Sequence, residues 1–311
     1  MRKTYGELEA VRGIDLTIEH GEVFALLGPN GAGKTTTVEI LEGFRARSGG
    51  AVTVLGSDPG EADATFTADI GVVLQSTGVD PYLTVREVVD LYRGYYPSPR
   101  PADELIELVG LGPHRDQRVK RLSGGQQRRL DVAVGLAGDP TLLFLDEPTT
   151  GFDPAARRQA WDVITNLKAL GKTVVLTTHY MEEAQVLADR VAVIVEGRIV
   201  AEGTPEALGG GATGVRIAVS GSIDPPPALV GAQRDHHGDW QVVVPDPVPV
   251  LHALTDWAVT GSHPLPSLTV TRRSLEDVYL ELTGEASVAG LEPPPVDAGS
   301  SPGRRRRGRR P

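Results

Sequence analysis

An α/β fold built on buried parallel strands is predicted by three observations. Short apolar runs at residues 23–27, 141–145 and 173–178 have the length and composition of strands covered on both faces. A glycine-rich stretch, Gly28-Pro29-Asn30-Gly31-Ala32-Gly33-Lys34-Thr35-Thr36, separates the first run from a helix that opens near Thr37. Between residues 83 and 121 the apolar period changes to 3.6, with Val85, Val88, Val89 and Tyr92 on one face and Leu105, Leu108, Val109 and Leu111 on another. That change marks a helical insert, placed at about 83–140.

Taken in order, residues 10–18 alternate and read as an antiparallel edge strand turning at His20-Gly21. Residues 49–55 and 70–75 give two further strands, and the second ends on Gln75. A polar side chain at that edge lies where ligands gather in open α/β sheets. Leu122-Ser123-Gly124-Gly125-Gln126 opens a long helix to about Gly138, a second potential anion site or simply a serine-capped helix. The run at 141–145 ends on Asp146 and Glu147, and Pro148 prevents a central strand from continuing. Strand alternation sends these two carboxylates in opposite directions, one suited to a metal and one to a water.

Residues 151–154 turn into a helix at 155–170, and the strand at 173–178 stops at His179. Residues 191–195 and 198–203 form a hairpin around Glu196-Gly197. Gly209-Gly210-Gly211 is a hinge, and residues 213–284 mix strands at 215–219, 240–244 and 268–271 with helices at 250–257 and 274–282. Domain boundaries follow: 1–208, a small α+β unit at 209–284, and a disordered Pro, Gly and Arg-rich tail at 285–311. His236-His237 reads as an exposed turn, because no third ligand accompanies the pair.

The glycine-rich stretch carries the chemistry. Glycines let the backbone curl so that successive N–H groups face phosphate oxygens, and the helix behind adds the positive end of its dipole. Lys34 supplies a point charge to the β and γ phosphates, and Thr35 offers a hydroxyl to Mg²⁺. Tyr5 lies close upstream and can stack on a planar base.

Composition narrows the classes. With 40% hydrophobic and 23% charged residues the chain is an ordinary globular protein. It has no apolar run of the ~18 to 20 residues that a membrane helix needs and no leader-like start. Zero cysteines exclude disulfides and thiol chemistry. Six arginines in residues 304–310 mask the acidity of the rest: residues 1–303 carry 25 basic and 41 acidic side chains, a net of −16. No nucleic-acid partner is expected from such a field. The arginines could touch anionic lipid, although a solvated end is the plainer reading.

Together these motifs resemble the ATP-binding subunit of an ABC transporter. Residues 28–36 are similar to its Walker A loop, Tyr5 to the A-loop aromatic, Gln75 to the Q-loop, 122–126 to the Leu-Ser-Gly-Gly-Gln signature, 142–146 to Walker B, Asp153 to the D-loop aspartate and His179 to the switch histidine. The resemblance implies a P-loop NTPase fold with an antiparallel edge sheet, ATP and Mg²⁺ as ligands, and a head-to-tail dimer in which Ser123, Gly124, Gly125 and Gln126 close over the nucleotide of a second copy. It implies that Glu147 polarises water, that Thr35, Gln75 and Asp146 hold Mg²⁺, and that His179 contacts the γ phosphate. Residues 273–284 are similar to the C-terminal segment of the daunorubicin-resistance branch of exporter ATPases, which implies a separate membrane permease and a place on the cytoplasmic face of the membrane. Two other readings are a soluble ABC ATPase with no membrane partner and a subunit exporting lipid or polysaccharide. The resemblance implies a further strand ahead of the aromatic, whereas Met1–Thr4 alone precede Tyr5 here: either the start is placed late or the first strand of the nucleotide-binding sheet is missing, and the second case would leave Tyr5 poorly anchored.

Overall fold

A computed structural model describes residues 1–73, 78–209, 215–219, 229, 231–234, 239–261, 265, 267–272, 275–276 and 278–279. The chain begins with a hairpin, β1 (Arg2–Tyr5) and β2 (Leu8–Arg12). Next come β3 (Val23–Leu27), α1 (Lys34–Leu41), α2 (Ala64–Asp69) and β4 (Ile70–Val73). The helical insert contributes α3 (Val85–Arg93), α4 (Ala102–Leu108) and α5 (Gly124–Gly135). Then follow β5 (Leu142–Asp146), α6 (Pro154–Ala169), β6 (Thr173–Thr178), α7 (Met181–Leu187), β7 (Arg190–Val195), β8 (Arg198–Gly203) and α8 (Pro205–Leu208). The remaining elements are β9 (Val215–Val219), β10 (Gln233–Arg234), β11 (Trp240–Val244), α9 (Pro247–Thr260) and β12 (Leu268–Arg272).

Six strands form the main sheet in the order β4-β5-β6-β3-β7-β8. All neighbouring pairs are parallel except β7 with β8. Residues alternate between two covered faces: Val23, Ala25 and Leu27 of β3 join the cluster under the helical insert, while Phe24 and Leu26 join a second cluster on the opposite side. Covering both faces is what makes these strands continuously apolar. The order of strands reverses beside β3, so the loop after β3 opens at the switch point where ligands bind.

Capping fixes the helices of the insert. Thr84 and Glu87 form a reciprocal capping box on α3, and Ser123 and Gln126 form another on α5. Close approach then seats α5 on the sheet: a Cβ on Gly71 of β4 would lie 2.3 Å from the carbonyl oxygen of Gly135. Helix α5 ends at Gly135, slightly short of the expected Gly138. The turn between β7 and β8 has positive φ at both Glu196 (46°) and Gly197 (76°), as a tight antiparallel hairpin requires.

The expected edge strand at 10–18 is cut short. Strand β2 stops at Arg12, Gly13 has φ +87°, and residues 13–19 pair with no strand. The expected strand at 49–55 is likewise reduced to single bridges, Arg2 with Gly49 and Val54 with Ser57. Alternating apolar residues were present in both segments, but a strand also needs a partner. Here the two segments instead line one cavity of about 510 Å³.

In the C-terminal part, antiparallel strands run β10-β11-β9-β12, and Leu254 of α9 clusters with Ile217 and Val219. The helical residues Leu275 and Tyr279 are buried in the cluster of the main sheet. Gly210 and Gly211 of the hinge, His236-His237 and the tail lie outside the described residues.

Two stability predictions follow from this packing. Gly71→Ala would drive a methyl into α5 and should cost about 1–3 kcal/mol, read as a lower urea midpoint; an unchanged midpoint would mean that α5 stands further from β4. Glu42, at the C-terminal end of α1, is buried, and burial, then Asp146, then Glu39, push its carboxyl up from 4.5 to about 7. The folded state therefore keeps a proton that the unfolded chain has lost, and stability falls as pH rises from 4.5 to about 7. Glu42→Gln should remove that decline and exceed the parent chain in stability at alkaline pH, as urea titrations across this range would reveal.

Candidate functional site

Three strand ends converge on the glycine loop. Gly28 follows β3, and its N–H lies 3.4 Å from the carbonyl oxygen of Thr178 at the end of β6. No side chain could replace its hydrogens, because a Cβ there would sit 2.3 Å from the carbonyl oxygen of Ile194. Gly31 and Gly33 have φ of 81° and 103°, a left-handed backbone that glycine adopts without strain. Gly33 is the N-cap of α1 and offers no side chain to its first N–H groups. Those donors are left for an external acceptor, with the helix dipole behind them. Pro29, Asn30 and Ala32 complete the loop, while Thr35 is exposed on the first turn and Thr36 is half-buried beside it.

Lys34 is buried under this loop. Its Nζ donates to the carbonyl oxygens of Gly28 at 2.7 Å and Pro29 at 3.2 Å, and lies 3.8 Å from Oε1 of Glu147. Burial lowers its pKa, while the charges of Glu147 and Asp146 act in the opposite direction.

Both carboxylates thus act on one ammonium group, against the expectation that they point apart. Alternation fails because Glu147 leaves the extended region, with φ +45°. Its N–H is held by the carbonyl oxygen of Thr177 at 3.2 Å and by Thr177 Oγ1 at 3.1 Å. Thr177 Oγ1 in turn donates to Asp146 Oδ1 at 2.5 Å. The Glu147 carboxylate has three further neighbours: Thr150 Oγ1 donates to Oε2 at 3.1 Å, His179 Nδ1 lies 3.2 Å from Oε1, and Lys34 stands beyond. The His179 ring also packs on Tyr180, with centroids 4.1 Å apart. Lys34, Asp146, Glu147 and His179 therefore share one polar site at the ends of β3, β5 and β6, flanked by Thr35.

Other expected residues stand apart. Among the described residues, no hydrogen bond joins Ser123, Gly124, Gly125 or Gln126 to residues 28–36 or to Glu147. Ser123 caps α5, Gln126 reaches His114 at 3.0 Å, and Ser123 and Gly124 are exposed. Asp153 caps α6 by accepting from the N–H groups of Ala155 at 2.9 Å and Ala156 at 2.8 Å. Tyr5 is 38% exposed and is flanked by Lys3 and Arg45. Gln75 lies outside the described residues. Sequence reading missed Thr177 and Thr150; a hydroxyl at the end of an otherwise apolar strand was the available signal for Thr177.

Comparison with known proteins supplies the family. The ABC transporter family model matches residues 11–150. The chain is 39% identical over 298 residues to the daunorubicin/doxorubicin resistance ATP-binding protein DrrA of Streptomyces peucetius, covering 91% of this chain and 90% of that protein. It is 38% identical over 298 residues to the Nod factor export ATP-binding protein I of Ralstonia nicotianae, covering 91% and 92%. Among solved structures, a dimeric ATP-binding cassette in a post-hydrolysis state bound to ADP and Pi is similar, with TM-score 0.58 and 28% identity over 65% of this chain and 95% of that one. With the glycine loop, Lys34 and the paired carboxylates on one sheet edge, this chain belongs to the ABC transporter family of ATP-binding proteins and is an ATPase.

Proposed function

We propose that this chain is the ATP-hydrolysing subunit of an exporter for drugs, antibiotics or similar amphiphiles, working on the cytoplasmic face of the membrane with a separate permease. Residues 1–208 form the motor, 209–284 an accessory unit and 285–311 a tail. The observation that carries the reading is the convergence of Lys34, Asp146, Glu147 and His179 on a helix N-terminus that has no side-chain cap. The relatives' drug-resistance and Nod factor export names support outward transport. No helix among the described residues is long and apolar enough to cross a membrane, which suits a subunit that leaves passage to a partner.

Each residue has a part. The N–H groups of Gly31, Gly33, Lys34, Thr35 and Thr36 receive the phosphates, within the loop that Gly28, Pro29 and Asn30 begin and that the Ala32 N–H braces by donating to the Pro29 carbonyl. Lys34 gives up its carbonyl partners for the β and γ oxygens, and Tyr5 stacks on the base. Thr35, Asp146 and Gln75 present the hard oxygen donors that suit Mg²⁺, with phosphate and water completing the shell. Held by those residues, Mg²⁺ would supply positive charge against the charge of the phosphates. Glu147 orients and deprotonates the attacking water, and His179 contacts the γ phosphate.

Ser123, Gly124, Gly125 and Gln126 are exposed or half-buried at the start of α5 and serve the nucleotide of a second copy in a head-to-tail dimer. Among the described residues they make no hydrogen bond to the chain's own loop, which supports that division of labour. Asp153 braces the same interface.

Glu147→Gln should retain ATP binding, lower turnover by about 10² to 10⁴ and accumulate an ATP-bound dimer. Size-exclusion chromatography that gives only monomer with saturating ATP would count against the dimer. Lys34→Ala should weaken nucleotide affinity itself, and an unchanged titration curve would contradict its assigned role.

A further inference from the structure

Arg128 lies on α5, about one turn beyond Gly124, and its side chain is only 8% exposed. Its Nη2 donates to the carbonyl oxygen of Asp146 at 2.8 Å and its Nε to that of Pro148 at 3.3 Å. These two carbonyls flank Glu147, the residue with φ +45°. A non-glycine residue in that region is sparsely populated and persists only where its surroundings over-determine it. Thr177 holds the N–H of Glu147 from the β6 side, and from the α5 side Arg128 holds the carbonyl of the peptide that precedes it and the carbonyl of Pro148, one peptide further on. Asp131 Oδ2, 3.9 Å from Arg128 Nη1, keeps the guanidinium in place.

Ser123 is the N-cap of α5, so Arg128 and residues 123–126 belong to one continuous helical segment. Its first turn also abuts α6, where a Cβ on Gly125 would lie 3.0 Å from that of Ala156.

We propose that Arg128 is a positioning residue that sets the backbone conformation of Glu147 and ties it to the position of residues 123–126. When that loop engages the nucleotide of a second copy, α5 moves as a unit, and the carbonyls on either side of Glu147 move with it. Hydrolysis in one site is thereby made responsive to closure at the other. Arginine suits the task because its planar fork can hold two carbonyls at once, whereas an ammonium is a single point donor.

The inference rests on Glu147 being the general base, and the two ideas separate experimentally. In the full-length protein, Arg128→Gln should lower kcat for ATP by about 100-fold, the cost of a misplaced reacting group, and leave KM for ATP within about twofold. Arg128→Lys, which can still hold one carbonyl, should recover part of the loss. An unchanged kcat in either soluble variant overturns the proposal. So does a loss of ATP affinity as large as the loss of kcat, or failure of both variants to fold, since each marks Arg128 as a purely structural residue. Glu147→Gln is the control: if it turns over like the parent chain, the general-base reading itself fails, whereas its inactivity beside fully active Arg128 variants sinks only the coupling.

Discussion

A buried ammonium group sets the terms for the rest of the molecule. Lys34 is placed at the C-terminal edge of a sheet covered on both faces, and a charge removed from water in this way costs several kcal/mol unless it is paired and hydrogen-bonded. The carbonyls of Gly28 and Pro29 meet it only because the loop folds back over it, and the loop folds back only because glycine occupies positions 28, 31 and 33. Asp146 and Glu147 supply the opposing charge from β5, one strand beyond β6.

Glu147 shows how the fold stores a functional geometry. Its left-handed backbone is unfavourable in isolation, and four neighbours on different elements hold it: Thr177 on β6, Thr150 in the following turn, His179 after β6, and Lys34 on α1. Buried polar networks of this kind are costly when half-satisfied and rigid when complete. The helix that carries the signature touches this network through a guanidinium, so exposed and buried parts of the site are mechanically continuous.

The C-terminal residues return to the same core. Leu275 and Tyr279, about 240 residues beyond the glycine loop, are buried with Leu145, Leu176 and Val193 in one apolar cluster. An interaction between such distant parts of the chain fits a segment whose helical spacing was already visible at 274–282, though nothing in that spacing told which surface would receive it.

Local rules made much of this protein readable. The glycine loop, the capping box at Ser123 and Gln126, the turn at Glu196-Gly197 and the apolar strands all depend on residues within a few positions of one another, so spacing and residue type suffice. The sequence by itself therefore determined the α/β class, the phosphate-binding loop, and the identities of Lys34, Asp146, Glu147 and His179. Tertiary structure alone decided the direction of the Glu147 side chain, because a turn to positive φ overrode the alternation of β5. It alone decided the contacts of Thr177 and Arg128, whose partners lie 30 and 20 residues away, and the loss of strand pairing at 13–19 and 51–53. These outcomes depend on which backbone stands opposite, and a linear pattern carries the residues without their partners.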